Sequence, residues 1–105
     1  MISKTPIPPY YAVIFTSLRT EGDLGYDKTS DRMVELAKEH KGFLGMEAAR
    51  SEVGITVSYW KTLESIRNWK NNLEHETAQQ IGKEKWYAAY KIRICKVERD
   101  YEFEK

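Results

Sequence analysis

The sequence is poor in the residues from which most metal centres and disulfides are built. Its 105 residues include one cysteine, Cys95, and two histidines, which excludes an internal disulfide and falls short of a closed four-ligand zinc site. A lone thiol is typical of a reducing compartment, and we expect a cytoplasmic protein. Glycine is also sparse: the Gly22-x-x-Gly25 segment lacks the lysine of a phosphate-binding loop, so no nucleotide cofactor is expected.

The sequence also lacks an excess of either charge and any long apolar run. Lys and Arg total 17 against 16 for Asp and Glu, so no net field attracts nucleic acid or anionic lipid. No apolar run approaches the roughly 20 residues that a membrane-spanning helix needs, and the first ten residues lack the apolar core of a signal peptide. We therefore expect neither nucleic acid nor a membrane as a partner.

What the sequence does contain predicts one folded domain. Hydrophobic residues make up 41% and aromatic residues 12% of the chain, which is enough for a core. Pro6, Pro8 and Pro9 disfavour regular structure at the start, because proline fixes φ and restricts the residue before it. We interpret residues 1–9 as an extended lead-in and residues 10–105 as a single domain.

Four segments show the composition and alternation of β-strands. Residues 11–18 are apolar on both alternating faces, which predicts a strand covered on both sides. Residues 43–50 and 55–60 flank a turn at Glu52-Val53-Gly54 and predict a hairpin. Residues 90–97 alternate apolar and basic side chains and predict a long last strand.

Two helices are predicted between these strands. The first carries the stripe Met33, Leu36, Ala37 and His40 and ends at Gly42. The second is capped by Thr62 and bears Leu63, Ile66, Trp69 and Leu73. Asn71-Asn72, a pair of poor helix formers, predicts a break or a bend, with a further helical piece from about residue 74 towards 85.

The resulting order, β-α-β-β-α-β, predicts an α+β, ferredoxin-like fold with both helices on one side of an antiparallel sheet. The opposite face of the sheet would then leave a large apolar patch exposed. Self-association is the simplest way to cover it, so we expect a homodimer.

Three segments resemble the antibiotic biosynthesis monooxygenase superfamily: Gly42-Phe43-Leu44-Gly45-Met46, Ser58-Tyr59-Trp60-Lys61, and Ile66-Arg67-Asn68-Trp69-Lys70 leading into residues 74–78. The resemblance covers roughly residues 11–99. It implies a dimeric α+β barrel, in which two ferredoxin-like chains pair sheet to sheet, with a pocket between each sheet and its helices.

The superfamily's activities divide chiefly into oxygenation of quinol-like molecules without metal or flavin and oxidative degradation of heme. Resemblance to the heme-degrading branch would imply a triad: an asparagine on the first strand, a tryptophan on the second helix and a histidine ten residues later. Trp69 fits the tryptophan, but Gln79 stands ten residues on, and the first strand has no asparagine. His75, six positions after Trp69, would lie about 120° away around the helix unless the chain breaks between them. We therefore expect no cofactor, with heme as the less favoured possibility.

The quinol branch needs a base, donors for the developing oxyanion and an apolar pocket. The candidate catalytic residues are His75 as the base, with Arg93 and Asn72 as donors. The candidate walls of the pocket are Trp69, Trp86 and Tyr59.

Each assignment has a structural alternative. Trp69 fits core packing, His75 fits an ion-paired surface residue, and Arg93 faces either solvent or the pocket. His40, at the end of the first helix, is interpreted as a structural cation. Trp86-Tyr87-Ala88-Ala89-Tyr90 fits a dimer interface somewhat better than a ligand wall.

The sequence thus favours a cofactor-independent monooxygenase acting on a small aromatic or quinol-like molecule. The alternative is a non-catalytic small-molecule-binding module of the same fold, or a heme-binding monooxygenase. Convergence of His75, Asn72 and Arg93 on one cavity would favour the enzyme, and scattered side chains would favour the binder.

Overall fold

Four strands form one antiparallel sheet in the order β2-β3-β1-β4 in the computed structural model. The elements in chain order are β1 (Tyr10–Arg19), α1 (Tyr26–Lys38), β2 (Phe43–Arg50), β3 (Gly54–Trp60), α2 (Leu63–His75) and β4 (Tyr87–Val97). This is the predicted β-α-β-β-α-β order and strand arrangement of a ferredoxin-like fold. The fold class is confirmed.

The structure describes residues 2–20, 26–75 and 86–105, with side chains described for all of these except 26–30 and 73–75. The Gly22 to Gly25 segment and the helical piece predicted from about residue 74 towards 85 therefore lie largely outside the described residues.

Because successive side chains on a strand point to opposite sides, the register divides the sheet into two faces. The helix-side face carries Val13 and Trp60, which form one buried cluster with Ala37 of α1 and Ile66 of α2. The outward face carries the alternate residues, among them Ala12 and Tyr59, which pair with each other across β1 and β3. Ala12 and Val13 are both buried, so β1 is covered on both sides there, as predicted.

The helices pack over the β2 and β3 half of the helix-side face, where α1 contacts β2 and α2 contacts β3. Gly42, in the turn that follows α1, makes close packing of α2 possible, because a Cβ at this position would overlap the Ser65 side chain. Ile92 and Ile94 of β4 pair with Phe15 and Val13 and stay 40% and 55% exposed. Among the described elements, the helices thus pack mainly on the β2 and β3 half, and Ile92 and Ile94 stay partly exposed on the β4 half.

The helix α2 differs from the prediction at Asn71-Asn72, where it continues without a break to His75. Asparagine costs only about 0.7 kcal/mol relative to alanine in a helix, whereas burial of Ile66 contributes about 1.5–3 kcal/mol. Packing of the helix face outweighs the local propensity. Thr62 does cap this helix as predicted, accepting a hydrogen bond from the Ser65 backbone N–H at 3.0 Å.

The two ends of the chain lie near one another at the outward face. The Ser3 backbone N–H donates to Glu47 Oε2 at 2.9 Å, and its hydroxyl donates to the Met46 carbonyl at 3.1 Å. Lys4 Nζ lies 3.6 Å from Glu102 Oε2. The lead-in is thus attached to β2 and to the residues that follow β4.

Candidate functional site

Trp60, at the end of β3, is fully buried and is the centre of an aromatic group on the helix-side face. Its indole Nε1 donates to Ser58 Oγ at 2.9 Å. The Trp69 ring of α2 lies 5.0 Å away at an interplanar angle of 31°, and Phe43 of β2 meets Trp60 edge to face at 5.4 Å. The sequence motifs that contain these residues therefore meet at one place, between the sheet and α2.

His40 and Asn72 lie beside this aromatic group. Asn72 Nδ2 is 3.4 Å from His40 Nε2, a long contact that forms a hydrogen bond when Nε2 is unprotonated and accepts. The His40 imidazole also stands edge-on to Trp60 at 6.3 Å. An imidazole and a carboxamide are thus held against an indole at the junction of α1 and α2.

Trp69 carries an unsatisfied polar atom in this region. Its indole Nε1 is buried and has no hydrogen-bond partner among the residues that the structure describes. A buried donor without an acceptor costs roughly 1–3 kcal/mol, and such groups are uncommon in folded proteins. This N–H is able to donate to a ligand oxygen that enters the space beside it.

A second aromatic group lies on the helix-side face near the start of β4. Phe15 of β1 contacts Tyr87 at 5.3 Å and Tyr90 at 5.4 Å between ring centroids, and the two tyrosines contact each other at 5.8 Å. Much of the aromatic patch of residues 86–90 therefore packs within the chain.

One basic side chain crosses the sheet next to that aromatic group. Arg50 Nη2 donates to the hydroxyl of Ser17 at 2.6 Å, and Ser17 is only 2% exposed. Arg50 is on β2 and Ser17 on β1, with Gly54 of β3 between them in the register. The guanidinium therefore lies across β3.

The outward face carries a different polar group, centred on two tyrosines. Tyr59 donates to Glu47 Oε1 at 2.6 Å, and burial together with this hydrogen bond raises the pKa of Tyr59 to about 12. The same bond, with the Ser3 backbone N–H, holds the pKa of the Glu47 carboxyl below its usual value. Tyr10 donates to Asp100 Oδ2, and its pKa is raised, first by burial and then by that carboxylate.

The six residues predicted for the site lie in different environments. Trp69 and Asn72 share the helix-side region on α2, and Trp86 is buried directly before β4. Tyr59 and Arg93 are on the outward face, where Arg93 pairs with Ile14 of β1. His75 is the last residue of α2, and its side chain lies outside the described residues. The sheet backbone separates Arg93 from Asn72 within one protomer.

The predicted site residues do not include three polar residues that the fold brings to the helix-side face: His40, Arg50 and Ser17. His40 was interpreted as a helix-end cation, although its place in the stripe with Ala37 was a signal that it faces the core. Arg50 and Ser17 carried no motif, because their contact depends on strand register across β3.

The described ranges show neither a metal-binding cluster nor a membrane-spanning helix. Among the side chains described, those of residues 2–20, 31–72 and 86–105, no group of three or more from His, Cys, Asp or Glu is placed to hold a metal ion. In the same part of the chain, no helix has the length and apolar character needed to cross a membrane.

Comparison with known proteins gave one strong sequence match and several matches of fold. No family model matches the sequence. The uncharacterised protein YqjZ of Bacillus subtilis is 48% identical over 105 residues, covering 98% of this chain and 92% of YqjZ.

Among solved structures, a mutant of SnoaB, a cofactor-independent oxygenase from Streptomyces nogalater, superposes with a TM-score of 0.74 at 6% identity, covering 87% of this chain and 95% of SnoaB. A proposed antibiotic biosynthesis monooxygenase of Chloroflexus aurantiacus superposes with a TM-score of 0.63 at 18% identity, covering 90% and 97%. At these identities the likeness concerns the fold, and it confirms the resemblance to the superfamily at that level.

Proposed function

We propose that this chain, which belongs to the family of the Bacillus subtilis protein YqjZ and has the antibiotic biosynthesis monooxygenase fold, is a cofactor-independent monooxygenase. Its substrate is a small aromatic or quinol-like molecule. The observation that carries the proposal is the likeness of fold to SnoaB, at a TM-score of 0.74 over 87% of the chain. The helix-side groups support it, because they combine aromatic walls with a few polar atoms, as small-molecule sites do.

The substrate ring binds on the helix-side face, against Trp69 and beside Asn72. The buried, unpartnered Trp69 Nε1–H and the Asn72 carboxamide are both able to donate to a substrate oxygen. Donors held in place by packing stabilise negative charge that develops on that oxygen. Tyr59 and Arg93, on the outward face, are assigned to the subunit interface rather than to this site.

His75 is the proposed base. An imidazole suits proton removal near neutral pH, and position 75 follows Asn72 by three residues on an unbroken helix, so the two are neighbours on its surface. The deprotonated substrate is oxidised by O₂, which is reduced: one oxygen atom enters the product as a carbonyl and the other leaves as water. The protein's part is to bind the ring, remove the proton and stabilise the oxyanion.

Oxygen uptake with dithranol, an anthrone, tests this proposal. We expect His75→Ala to lower kcat by about 10²-fold or more, as removal of a general base does, and Asn72→Ala to lower it less. Arg67→Gln, which removes an exposed charge on α2, is the matched control and keeps full turnover. Full turnover by His75→Ala would refute the assigned base, and loss of turnover in His40→Ala instead would transfer that role to His40.

A non-catalytic binding module is the second candidate. It is favoured by one observation: Asn72 and Arg93 lie on opposite faces of the sheet and do not converge in one protomer. No oxygen uptake with dithranol or with a panel of hydroquinones, together with saturable binding of the same molecules, would favour the binder.

Heme fits the residues less well, because β1 contains no asparagine. A hemin titration followed by visible absorption, and repeated with His75→Ala, tests heme binding separately from oxygen uptake. A stoichiometric Soret shift that is lost in the variant would move the protein to the heme-binding alternative.

We also propose that the chain is a homodimer whose outward faces pack together. Ile55 and Leu18 on this face are 44% and 45% exposed, and Ile14 and Val57 form the next outward-facing pair along β1 and β3 after Thr16 and Ile55. A second copy would bury this surface.

A further inference from the structure

The two terminal segments carry the most exposed apolar side chains of the described residues. Ile2 and Ile7 of the lead-in are 80% and 90% exposed, and Tyr101 and Phe103, in the C-terminal arm of residues 98–105, are 84% and 86% exposed. The other large apolar side chains on the described surface are at most 55% exposed. Apolar groups that lie together on a surface without cover are typical of a contact with another molecule.

Polar contacts hold the C-terminal arm beside the lead-in and against the sheet. Asp100 accepts a hydrogen bond from the hydroxyl of Tyr10, the first residue of β1. Lys4 Nζ lies 3.6 Å from Glu102 Oε2 and 3.9 Å from Glu104 Oε2. The arm and the lead-in therefore lie together at the end of the sheet where β1 begins.

The arm has one acidic side and one apolar side. The carboxylates of Glu102 and Glu104 both approach the ammonium group of Lys4, so they lie on the same side of the arm. Residues 98–105 form neither helix nor turn, and alternate side chains of an extended chain point in opposite directions. Tyr101 and Phe103 therefore form the apolar side, which is turned away from Lys4.

The lead-in covers one end of the outward face and leaves the other end exposed. At the near end, which holds Gly45 and Tyr59, Ser3 packs so closely that a Cβ at Gly45 would come within 2.8 Å of its side chain. At the far end, Leu18 and Ile55 are about half exposed. Two near ends cannot meet without bringing two lead-ins to the same place, so a second copy fits with its near end over the far end of the first.

The sheet alone offers too little area for a stable dimer. Four strands about 4.8 Å apart, each about eight residues long at about 3.4 Å per residue, give the outward face a footprint of about 400 Å². A standard stable interface covers roughly 800 Å² on each partner. A buried Tyr or Phe contributes about 150–250 Å², so Tyr101 and Phe103 together supply much of the area that the face lacks.

The charges of the two surfaces favour the same orientation. Residues 98–105 contain four acidic and two basic side chains. The outward face carries exposed Lys91, which pairs with Thr16 in the row of Ile55, and exposed Arg93 in the next row. An acidic arm placed over the far end of a second copy meets these cations, whereas near ends placed together would bring two acidic arms into contact.

We infer that the C-terminal arm of each chain packs on a second copy of the chain. The two outward faces meet with the near end of one over the far end of the other, and the apolar side of each arm contacts Leu18 and Ile55 of the other copy. Two-fold symmetry makes the two contacts identical. The inference assigns the contacts of the proposed homodimer and rests on that proposal.

Sedimentation equilibrium over a dilution series tests the contribution of the arm. We expect Tyr101→Ser/Phe103→Ser to raise the dissociation constant of the dimer at least about 100-fold, because buried aromatic side chains carry much of the binding energy of interfaces. Leu63→Ser, which removes an exposed apolar side chain from α2, is the control and should keep the wild-type constant. Circular dichroism checks that each variant is folded.

Disulfide cross-linking tests where the arm lies. In a Cys95→Ser background, chains with Phe103→Cys are mixed with tagged chains that carry Leu18→Cys and are then oxidised. A bond between these two variants forms only between chains, so it separates contact with a second copy from contact within one chain. We expect this mixed dimer to form at least about tenfold faster than the one with tagged Leu63→Cys chains, whose thiol lies on the helix side.

The outcomes separate the arm contact from the dimer itself. A wild type that sediments as one chain would refute the dimer and the arm contact with it. A dimer whose dissociation constant is unchanged in Tyr101→Ser/Phe103→Ser would overturn the arm contact and retain the dimer. Equal cross-linking rates for Leu18→Cys and Leu63→Cys would do the same.

Discussion

At the residue scale, the polar contacts of the helix-side face are not indicated by any local sequence motif. Arg50 and Ser17 belong to no motif, yet a 2.6 Å hydrogen bond joins them across β3. His40 ends an otherwise apolar stripe and lies against Asn72 and Trp60. In each case the side chain acquires its role from a neighbour that is remote in sequence, which no local pattern encodes.

Glu47 gives a residue-scale prediction for acid stability. Hydrogen bonds from Tyr59 and the Ser3 backbone lower the pKa of its carboxyl below the ordinary value of 4.5. A lowered pKa in the folded state stabilises the fold above pH 4.5, and this stabilisation is lost as the pH falls through the lowered pKa. We expect the free energy of unfolding to fall less steeply below pH 4.5 in Glu47→Gln than in the wild type.

Urea denaturation at a series of pH values measures this difference. Glu98→Gln, at an exposed position after β4, is the control and should retain the wild-type slope. Identical profiles for Glu47→Gln and the wild type would mean that the hydrogen bond to Tyr59 contributes nothing to the pH dependence of stability.

At the element scale, α2 shows how tertiary packing overrides local preference. Asn71-Asn72 predicted a break, but the helix continues to His75, because Ile66 and Trp69 pack against the sheet and Asn72 lies against His40. An unbroken helix also means that no rotation of the chain brings position 75 onto the side of Trp69. Positions 69 and 75 therefore stay about 120° apart around the helix.

The start of the same helix provides an element-scale prediction. Thr62 Oγ1 accepts from the Ser65 backbone N–H, so Thr62→Ala leaves that donor without its cap. We expect a loss of about 1 kcal/mol in the free energy of unfolding. Thr62→Ser, which keeps the hydroxyl, should remain close to the wild type in the same denaturation experiment; an equal loss in both variants would exclude capping as the cause.

At the scale of the whole molecule, the sheet separates two surfaces with different roles. The helix-side face holds Trp69 and Asn72, which the proposed function assigns to ligand binding. The outward face presents exposed Ile55 and Leu18, which the proposals assign to a second copy. A ferredoxin-like sheet with helices on one side must cover its other face in some way.

The proposed dimer gives the whole-molecule prediction. Sedimentation equilibrium at micromolar concentration should report about twice the chain mass of 12.3 kDa. Ile55→Asp places a charge in the outward apolar patch and should shift the mass to that of one chain. Leu63→Asp, which alters an equally exposed apolar residue on the helix side, should stay dimeric. A wild type that sediments as one chain would refute the dimer.

Much of the fold followed from the sequence because it depends on local pattern. An apolar run identified β1, the turn at Glu52-Val53-Gly54 identified the hairpin of β2 and β3, and alternation identified β4; the stripes around Leu36 and Ile66 identified both helices. The last strand was predicted too short at its start: β4 begins at Tyr87 rather than Tyr90. The register between β1 and β4 shifts within this extra segment, between Leu18 and Arg19.

The candidate site could be predicted from the sequence only in part, because a strand pattern does not show which of its two faces meets the helices. Alternation on β4 shows that Lys91, Arg93 and Cys95 share a face, but it cannot say which face meets the helices. That choice is made by the register with β1, where Arg93 pairs with Ile14, and by the packing of Val13 against α1 and α2. The sequence by itself determined the elements and their order; the tertiary structure decided which side chains meet, because strand pairing and helix packing act between residues far apart in the chain.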